Sequence, residues 1–400
     1  MNQTHEQNFT EVIDPIKTAA HLTWSLTALI GIPANLFVLA AIVYFRCLIF
    51  RDMRTISNIY IFNLAVADLL FLCGIPVSFF AQTAQEGWIM GPIMCKLYIS
   101  GNAVSQFASA VFIAILSFDR YLAVCRPIQS KSFRTTQAAF ALSVTAWIMV
   151  ILEMTPLFLF VKLIKSSAGA VIGLKNVNCL VSGGKTRGSC MLFVGNVTAL
   201  ESEDEMNMTV MNEIEQNMLA SRRFFTSYTF ALSYLIPLVA VWYFYFKIIL
   251  KMCQRKRQMH TKRTGTKKRT TKVTIMGLAI VISYTLCWLP FWIVQWSIEA
   301  NLFQGSKYLL VCFSHFAFAL QYINSAANPF LYVFLSDSFQ KNIQKLLRTA
   351  KPDKQAMPKN STEPLDTSKM LTILITAANP MCFSCYFKLF RSHVPAYPEL

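Results

Sequence analysis

An aspartate inside an otherwise apolar run is the first residue here equipped for chemistry. Asp68 sits in NLAVADLLF, residues 63–71. A carboxylate in such a setting must find hydrogen-bond donors, a proton or a cation. Asn35, Ser109, Asn324, Ser325 and Asn328 recur at similar depth in other apolar runs. Their oxygens with that of Asp68 suit a cation carrying part of its water shell, which makes Asp68, Ser109, Asn324, Ser325 and Asn328 a candidate cation site. A second group is Asp119–Arg120 in ILSFDRYLAVCRP, residues 115–127, an acid and a base at the end of an apolar run. They mark either a helix leaving the membrane or an ion pair that can switch. A third is the amide pair Asn102 and Gln106 in SGNAVSQFASAVF, spaced i, i+4 and so on one helical face. The five histidines, His5, His21, His260, His315 and His393, show no metal-ligand spacing, and no enzymatic constellation emerges.

The elements that must position these groups are membrane helices. The 400 residues are 54% hydrophobic and only 14% charged, with a mean hydropathy of +0.44, too apolar for an ordinary soluble domain of this length. Windows of membrane-spanning length fall near 21–46, 56–81, 96–118, 137–162, 224–250, 273–300 and 308–335. Arg46, Arg51 and Arg54 follow the first window; Arg126, Lys131 and Arg134 follow the third; a basic run from Lys251 to Lys272 follows the fifth. Those loops face the cytoplasm, which puts the N-terminus outside. The sequons at Asn2, Asn8, Asn196 and Asn207 all fall on the outer side. The formal charge of +17 is then mainly a property of lipid-facing cytoplasmic loops, and nucleic acid is not an expected partner. Of eleven cysteines, Cys95 at the outer start of the third window faces a long outer loop holding Cys179 and Cys190. Cys179 is the preferred disulfide partner, because Val177, Leu180 and Val181 around it suit a strand; Cys190 is the alternative.

FDRYLAVCRP after the third span, NLAVADLL in the second, LCWLPFW in the sixth and NPFLY closing the seventh occur in order. With Asn35, Trp147 and Pro237, they resemble the rhodopsin-like G-protein-coupled receptors over residues 21 to about 347. The resemblance implies an all-α membrane protein: a seven-transmembrane helix bundle with a short amphipathic helix after the seventh span. It also implies an activation apparatus of Asp119, Arg120, Tyr121, Trp288, Pro290, Asn328, Pro329, Tyr332, Tyr245 and Pro237. In such a receptor Arg120 pairs with Asp119 at rest and swings towards a heterotrimeric G protein on activation. Thr270 stands where many relatives carry an acid, so the resting lock should be weak. No lysine lies between Tyr308 and Gln340, so a retinal-binding opsin is excluded.

SNIYIFNLAVADLLFLCGIPVSFF, GWIMGPIMCK and DRYLAVCRPI are most similar to the somatostatin, opioid and allatostatin-C peptide receptors. Asn102 departs from the vertebrate members, which carry an aspartate there, and resembles the allatostatin-C type instead. This implies a neuropeptide receptor with inhibitory (Gi/Go) coupling at the plasma membrane. The ligand contacts would be Asn102, Gln106, Phe291, Trp292, Gln295, Gln82 and Tyr322. A receptor for a lipid or other neutral ligand is the alternative, and an ion or proton transporter built on Asp68 a remote one. Glu153, an acid in the outer half of the fourth span, has no partner evident in the sequence. No cofactor is expected beyond an allosteric sodium ion. The expected organisation is a glycosylated extracellular segment 1–20, a bundle 21–335, a membrane-surface helix 336–349 and a tail 350–400. Phe339, Ile343 and Leu346 give that surface helix one apolar face, and arrestin is a further expected partner of the tail.

Overall fold

The computed structural model describes residues 2–44, 56–83, 88–130, 134–166, 187–192, 208–258, 265–300, 302 and 307–335. Seven helices are long and apolar enough to cross a membrane: Pro15–Val43, Ile56–Ala81, Gly91–Cys125, Thr136–Phe160, Arg222–Gln254, Gly277–Glu299 and Tyr308–Leu331. They pack into one bundle. Large apolar side chains such as Leu29, Ile93, Leu152, Phe246 and Phe316 point outwards, as suits a surface solvated by lipid tails. Asn35, Asp68, Ser109, Asp119, Asn324 and Asn328 are buried within.

Two boundaries differ from the hydropathy windows. The first helix runs from Asn2 to Tyr44, so the segment expected as a separate extracellular tail, with Asn2 and Asn8, continues the helix. The third extends over Gly91–Cys125, well beyond 96–118. One rod therefore carries Cys95 near its outer end and Asp119–Arg120 near its inner end. The segments 336–349 and 350–400, and Asn196 and Asn207, lie outside the described residues.

Proline organises the interior. Each in-helix proline frees the carbonyl four residues earlier, which in a membrane must be met by a neighbour. Pro237 frees the Ser233 carbonyl, and the Tyr284 hydroxyl of the sixth span donates to it at 2.7 Å. The backbone widens there into a π turn, Ala231–Leu235. Pro329 frees the Ser325 carbonyl, and Asn35 Nδ2 of the first span donates to it at 3.2 Å. In the second span Pro76 lies just past a break at Cys73, which divides Ile56–Leu72 from Gly74–Thr83. Trp147 Nε1 donates to Asn63 Oδ1 at 2.9 Å, tying the fourth span to the second.

On the outer side β1 (Val161–Ser166) and β2 (Arg187–Leu192) form an antiparallel hairpin with Leu163 opposite Cys190. Both strands lie against the third-span helix. The described strand in this loop thus contains Cys190, while Cys179 lies outside the described residues.

Candidate functional site

Three polar centres are stacked along the bundle. At the inner end, Asp119 is buried and held by more than its neighbour Arg120. Arg134 Nε donates to Asp119 Oδ1 at 2.8 Å and Arg134 Nη2 to Oδ2 at 3.2 Å, a two-pronged grip from beyond the end of the helix. Ser57 Oγ, at the start of the second span, donates to Oδ2 at 3.2 Å. Arg120 stands 3.8 Å from the same oxygen and donates from Nη2 to Ser57 Oγ. The Asp119–Arg120 pair expected at rest is present but loose, because Arg134 and Ser57 take the acid's closer lone pairs. Tyr121 sits against Phe118 and Phe244. Tyr245 is buried, and its hydroxyl occupies the space over Gly277, where a methyl group would collide with it.

Midway, Asp68 is fully buried. Asn328 Nδ2 donates to Oδ2 at 2.8 Å, Ser109 Oγ to Oδ1 at 3.3 Å, and Ser325 is a third hydrogen-bond partner. Ser283 Oγ of the sixth span donates to Asn324 Oδ1 at 3.1 Å. All five residues proposed for a sodium site therefore lie in or beside one network. Asn328 Oδ1 and Asn324 Nδ2 are buried without a protein partner among the described residues. One carboxylate, hydroxyl oxygens and an uncommitted carboxamide oxygen fit a hard monovalent cation with retained water.

Above this floor, Trp288 is buried and in ring contact with Phe71, Tyr284 and Phe291. Phe71 and Phe291 in turn line a cavity of about 260 Å³ in the outer half, walled by spans two to seven. Asn102, Gln106, Phe291, Trp292, Gln295 and Tyr322 all line it, so six of the seven sequence-selected contacts converge. The side chain of the seventh, Gln82, lies outside the described residues, as does that of Tyr332. Asn102 fits because residue 74 is glycine; a Cβ there would press on Asn102 Oδ1. Tyr98 hydrogen-bonds Asn102, Ser78 and Tyr322. Gln106 Nε2 donates to Ser233 Oγ at 3.4 Å. Glu153, unplaced in the sequence, accepts through its backbone carbonyl from the Tyr228 hydroxyl at 3.1 Å. No carboxylate lines the cavity among the described residues.

Sequence reasoning missed four participants. Gln321 lines the cavity, although its place beside Tyr322 in FALQYINSAANP was a usable signal. Ser57 and Arg134 secure Asp119 from elements that only the fold brings near. Glu299, buried at the outer end of the sixth span, is gripped by Arg222 Nε at 2.9 Å and approached by Arg223 Nε at 3.8 Å, both on the fifth. Thr226 Oγ1 also donates to Glu299, at 3.4 Å. Opposite charges at the outer ends of two neighbouring spans hinted at this clamp. Cys95 is disulfide-bonded, whereas Cys73, Cys125, Cys253, Cys287 and Cys312 are in no disulfide.

Seven membrane-crossing helices surround an outer cavity and an inner network in which Asp119 is held by Arg134, Ser57 and Arg120. Residues 34–332 match the 7 transmembrane receptor (rhodopsin family), and the chain belongs to that family. It is a multi-pass plasma-membrane protein. It is 30% identical over 327 residues to somatostatin receptor type 1 of Rattus norvegicus, covering 81% of this chain and 70% of the relative. To somatostatin receptor type 2 of Sus scrofa it is 30% identical over 347 residues, 86% of this chain and 81% of the relative. To neuropeptides B/W receptor type 1 of Mus musculus it is 28% identical over 336 residues, 83% of this chain and 88% of the relative.

Proposed function

We propose that this chain is a neuropeptide receptor of the somatostatin/allatostatin-C type that activates an inhibitory (Gi/Go) heterotrimeric G protein. The observation that carries the reading is the outer cavity, in which Asn102, Gln106 and Gln295 place neutral amides among aromatic walls. Amides and aromatics recognise peptide groups without demanding a ligand charge. The names of the relatives support a peptide as ligand. A cavity of about 260 Å³ is small for a whole ligand, which supports a peptide inserting one tip while the rest stays at the mouth.

Binding there acts by favouring one of two bundle states, and its effect is limited by its differential affinity for them. Trp288 transmits the bias from cavity to floor; Pro237, Pro290 and Pro329 supply bending points. At the inner end Arg120 exchanges its present contacts for the G protein. Asp68, Ser109, Asn324, Ser325 and Asn328 would hold sodium, which would supply positive charge to stabilise the resting network. Recruitment of arrestin belongs to the same proposal.

A lipid or other neutral ligand is the second reading, favoured by the lack of any carboxylate on the cavity wall among the described residues. G-protein activation in cells challenged with disulfide-closed somatostatin-like and allatostatin-C-like peptides separates the two, with Arg120→Ala as control. A saturable response lost in that variant, and abolished by pertussis toxin, is the expected result. Silence of a surface-expressed receptor across the panel would leave the lipid reading in its place.

A further inference from the structure

Two histidines flank one tryptophan at the outer seam of the first and seventh spans. The Trp24 ring stands 5.5 Å from that of His21 on its own helix and 5.5 Å from that of His315 on the seventh. Trp24 is buried, whereas both histidines are half-buried. Phe79 of the second span closes on His21 at 5.4 Å. His315 Nδ1 is buried without a hydrogen-bond partner among the described residues. Lys17 and His21 are the charged groups that act on His315, and no acid is among them. On the seventh helix its titratable neighbours are Tyr308 and Cys312 outwards and Tyr322 inwards. The second span offers none over Gly74–Thr83, and the outer sixth span offers one acid, Glu299, already gripped by Arg222. The nearest acid along the first helix is Asp14, whose side chain lies outside the described residues. Lys17, His21, Trp24 and His315 are not on the cavity wall.

Imidazole is the side chain that gains charge in mildly acidic surroundings. Both ring nitrogens of the charged form are donors, so Nδ1 would become a buried donor on a cation with no acceptor. That cation would also sit beside the positive charges of Lys17 and His21. The Trp24 face, tilted at 45° to the His315 ring, returns only part of this cost. Protonation therefore works against the packing of the seam. We infer that His315, with His21, makes the junction of the first and seventh spans a proton-sensitive joint, closed at neutral pH and loosened by extracellular acid. Rings connect the joint to the ligand site. Trp24 meets Tyr322 at 5.8 Å; Tyr322, on the cavity wall, meets Phe71 at 4.9 Å, and Phe71 meets Trp288 at 5.9 Å. Acid thus lowers ligand potency from outside the cavity. The effect on potency rests on the proposed function, whereas the joint itself does not.

The test has two arms on the full-length receptor, with His315→Gln and His315→Phe as variants that stay neutral in acid. In the first arm, ligand-free melting temperature is measured in detergent at about pH 7.5 and about pH 5.5. The quantity read is the fall on acidification within each protein, so a variant that is less stable at both pH values still reports. Wild type is expected to fall further than either variant, and His21→Gln to reduce the fall as well. A fall in both His315 variants as large as that of wild type overturns the inference. In the second arm, G-protein activation by the most potent peptide of the panel is measured in cells at the same two external pH values. Wild type is expected to lose about 3- to 10-fold in potency in acid, and His315→Gln to lose little. The same peptide serves both receptors, so its own titration cancels. An equal loss in wild type and variant overturns the regulation of the ligand site. Failure of every peptide on wild type removes the peptide reading, and the melting arm still decides whether the joint responds to acid.

Discussion

The buried acids of the inner half and the cavity wall of the outer half are held in different ways. Around Asp119 and Asp68 the acid oxygens are surrounded by donors from Arg134, Ser57, Ser109 and Asn328. Around the cavity, Trp292 Nε1 and Gln321 Nε2 are buried without a partner among the described residues, and the walls are tied at the rim, by Glu299 with Arg222 and by the disulfide at Cys95. The difference shows where this receptor keeps its stability. Ties at the inner end and rim hold the helices, leaving the space between them for a ligand.

The rim disulfide gives the largest expected effect. Serine at Cys95 should lower stability by about 3 kcal/mol, read as a fall in melting temperature. The hairpin places β2, with Cys190, against the third-span helix, so Cys190→Ser should reproduce that loss and Cys179→Ser should not. Peptide mapping under non-reducing conditions checks the pairing directly, and a Cys95–Cys179 peptide would reverse the assignment. Next comes Asp119→Ala, which strips Arg134 and Arg120 of their acid. A loss of about 2 kcal/mol is expected, below that of a fully buried pair because Arg134 is 26% exposed. Ligand-free G-protein signalling should rise with it; a variant that stays silent and stable would mean the inner network is not a restraint.

Glu299→Gln should cost about 1 kcal/mol by weakening the grip of Arg222 while keeping an acceptor for Thr226. If peptide potency falls with no change in melting temperature, Glu299 belongs to the ligand site and the division between rim and cavity breaks down. Smallest is Tyr284→Phe, which leaves the proline-freed Ser233 carbonyl without its donor. Its cost of about 1 kcal/mol or less should appear in melting temperature before it appears in ligand potency.

Much of this was legible because lipid forces a simple code. Seven apolar windows became seven spans, and the short motifs fell at the expected depths because a helix advances a fixed rise per residue. Asn102, Gln106, Phe291, Trp292, Gln295 and Tyr322 converge as their helical faces require. Partnership was not legible. Asp119 and Arg120 are adjacent in sequence and invite pairing, yet the firmer partner is Arg134, which reaches back from beyond a turn, with Ser57 arriving from another helix. Nor could it be read that Trp292 Nε1 and Gln321 Nε2 find no partner among the described residues, since whether a donor is satisfied depends on every neighbour at once. The helical continuation through Asn2 and Asn8 escaped the hydropathy reading for another reason: polar residues can extend a helix that apolar ones have already nucleated.

Gly277 adds a mechanical consequence. By omitting a side chain it gives the Tyr245 hydroxyl a slot on the sixth span, and the two helices engage there like a pin in a detent. Rotation or sliding of the sixth span past the fifth would have to move the Tyr245 hydroxyl out of this slot. The fit at this level is set by an absent methyl group rather than by any bond.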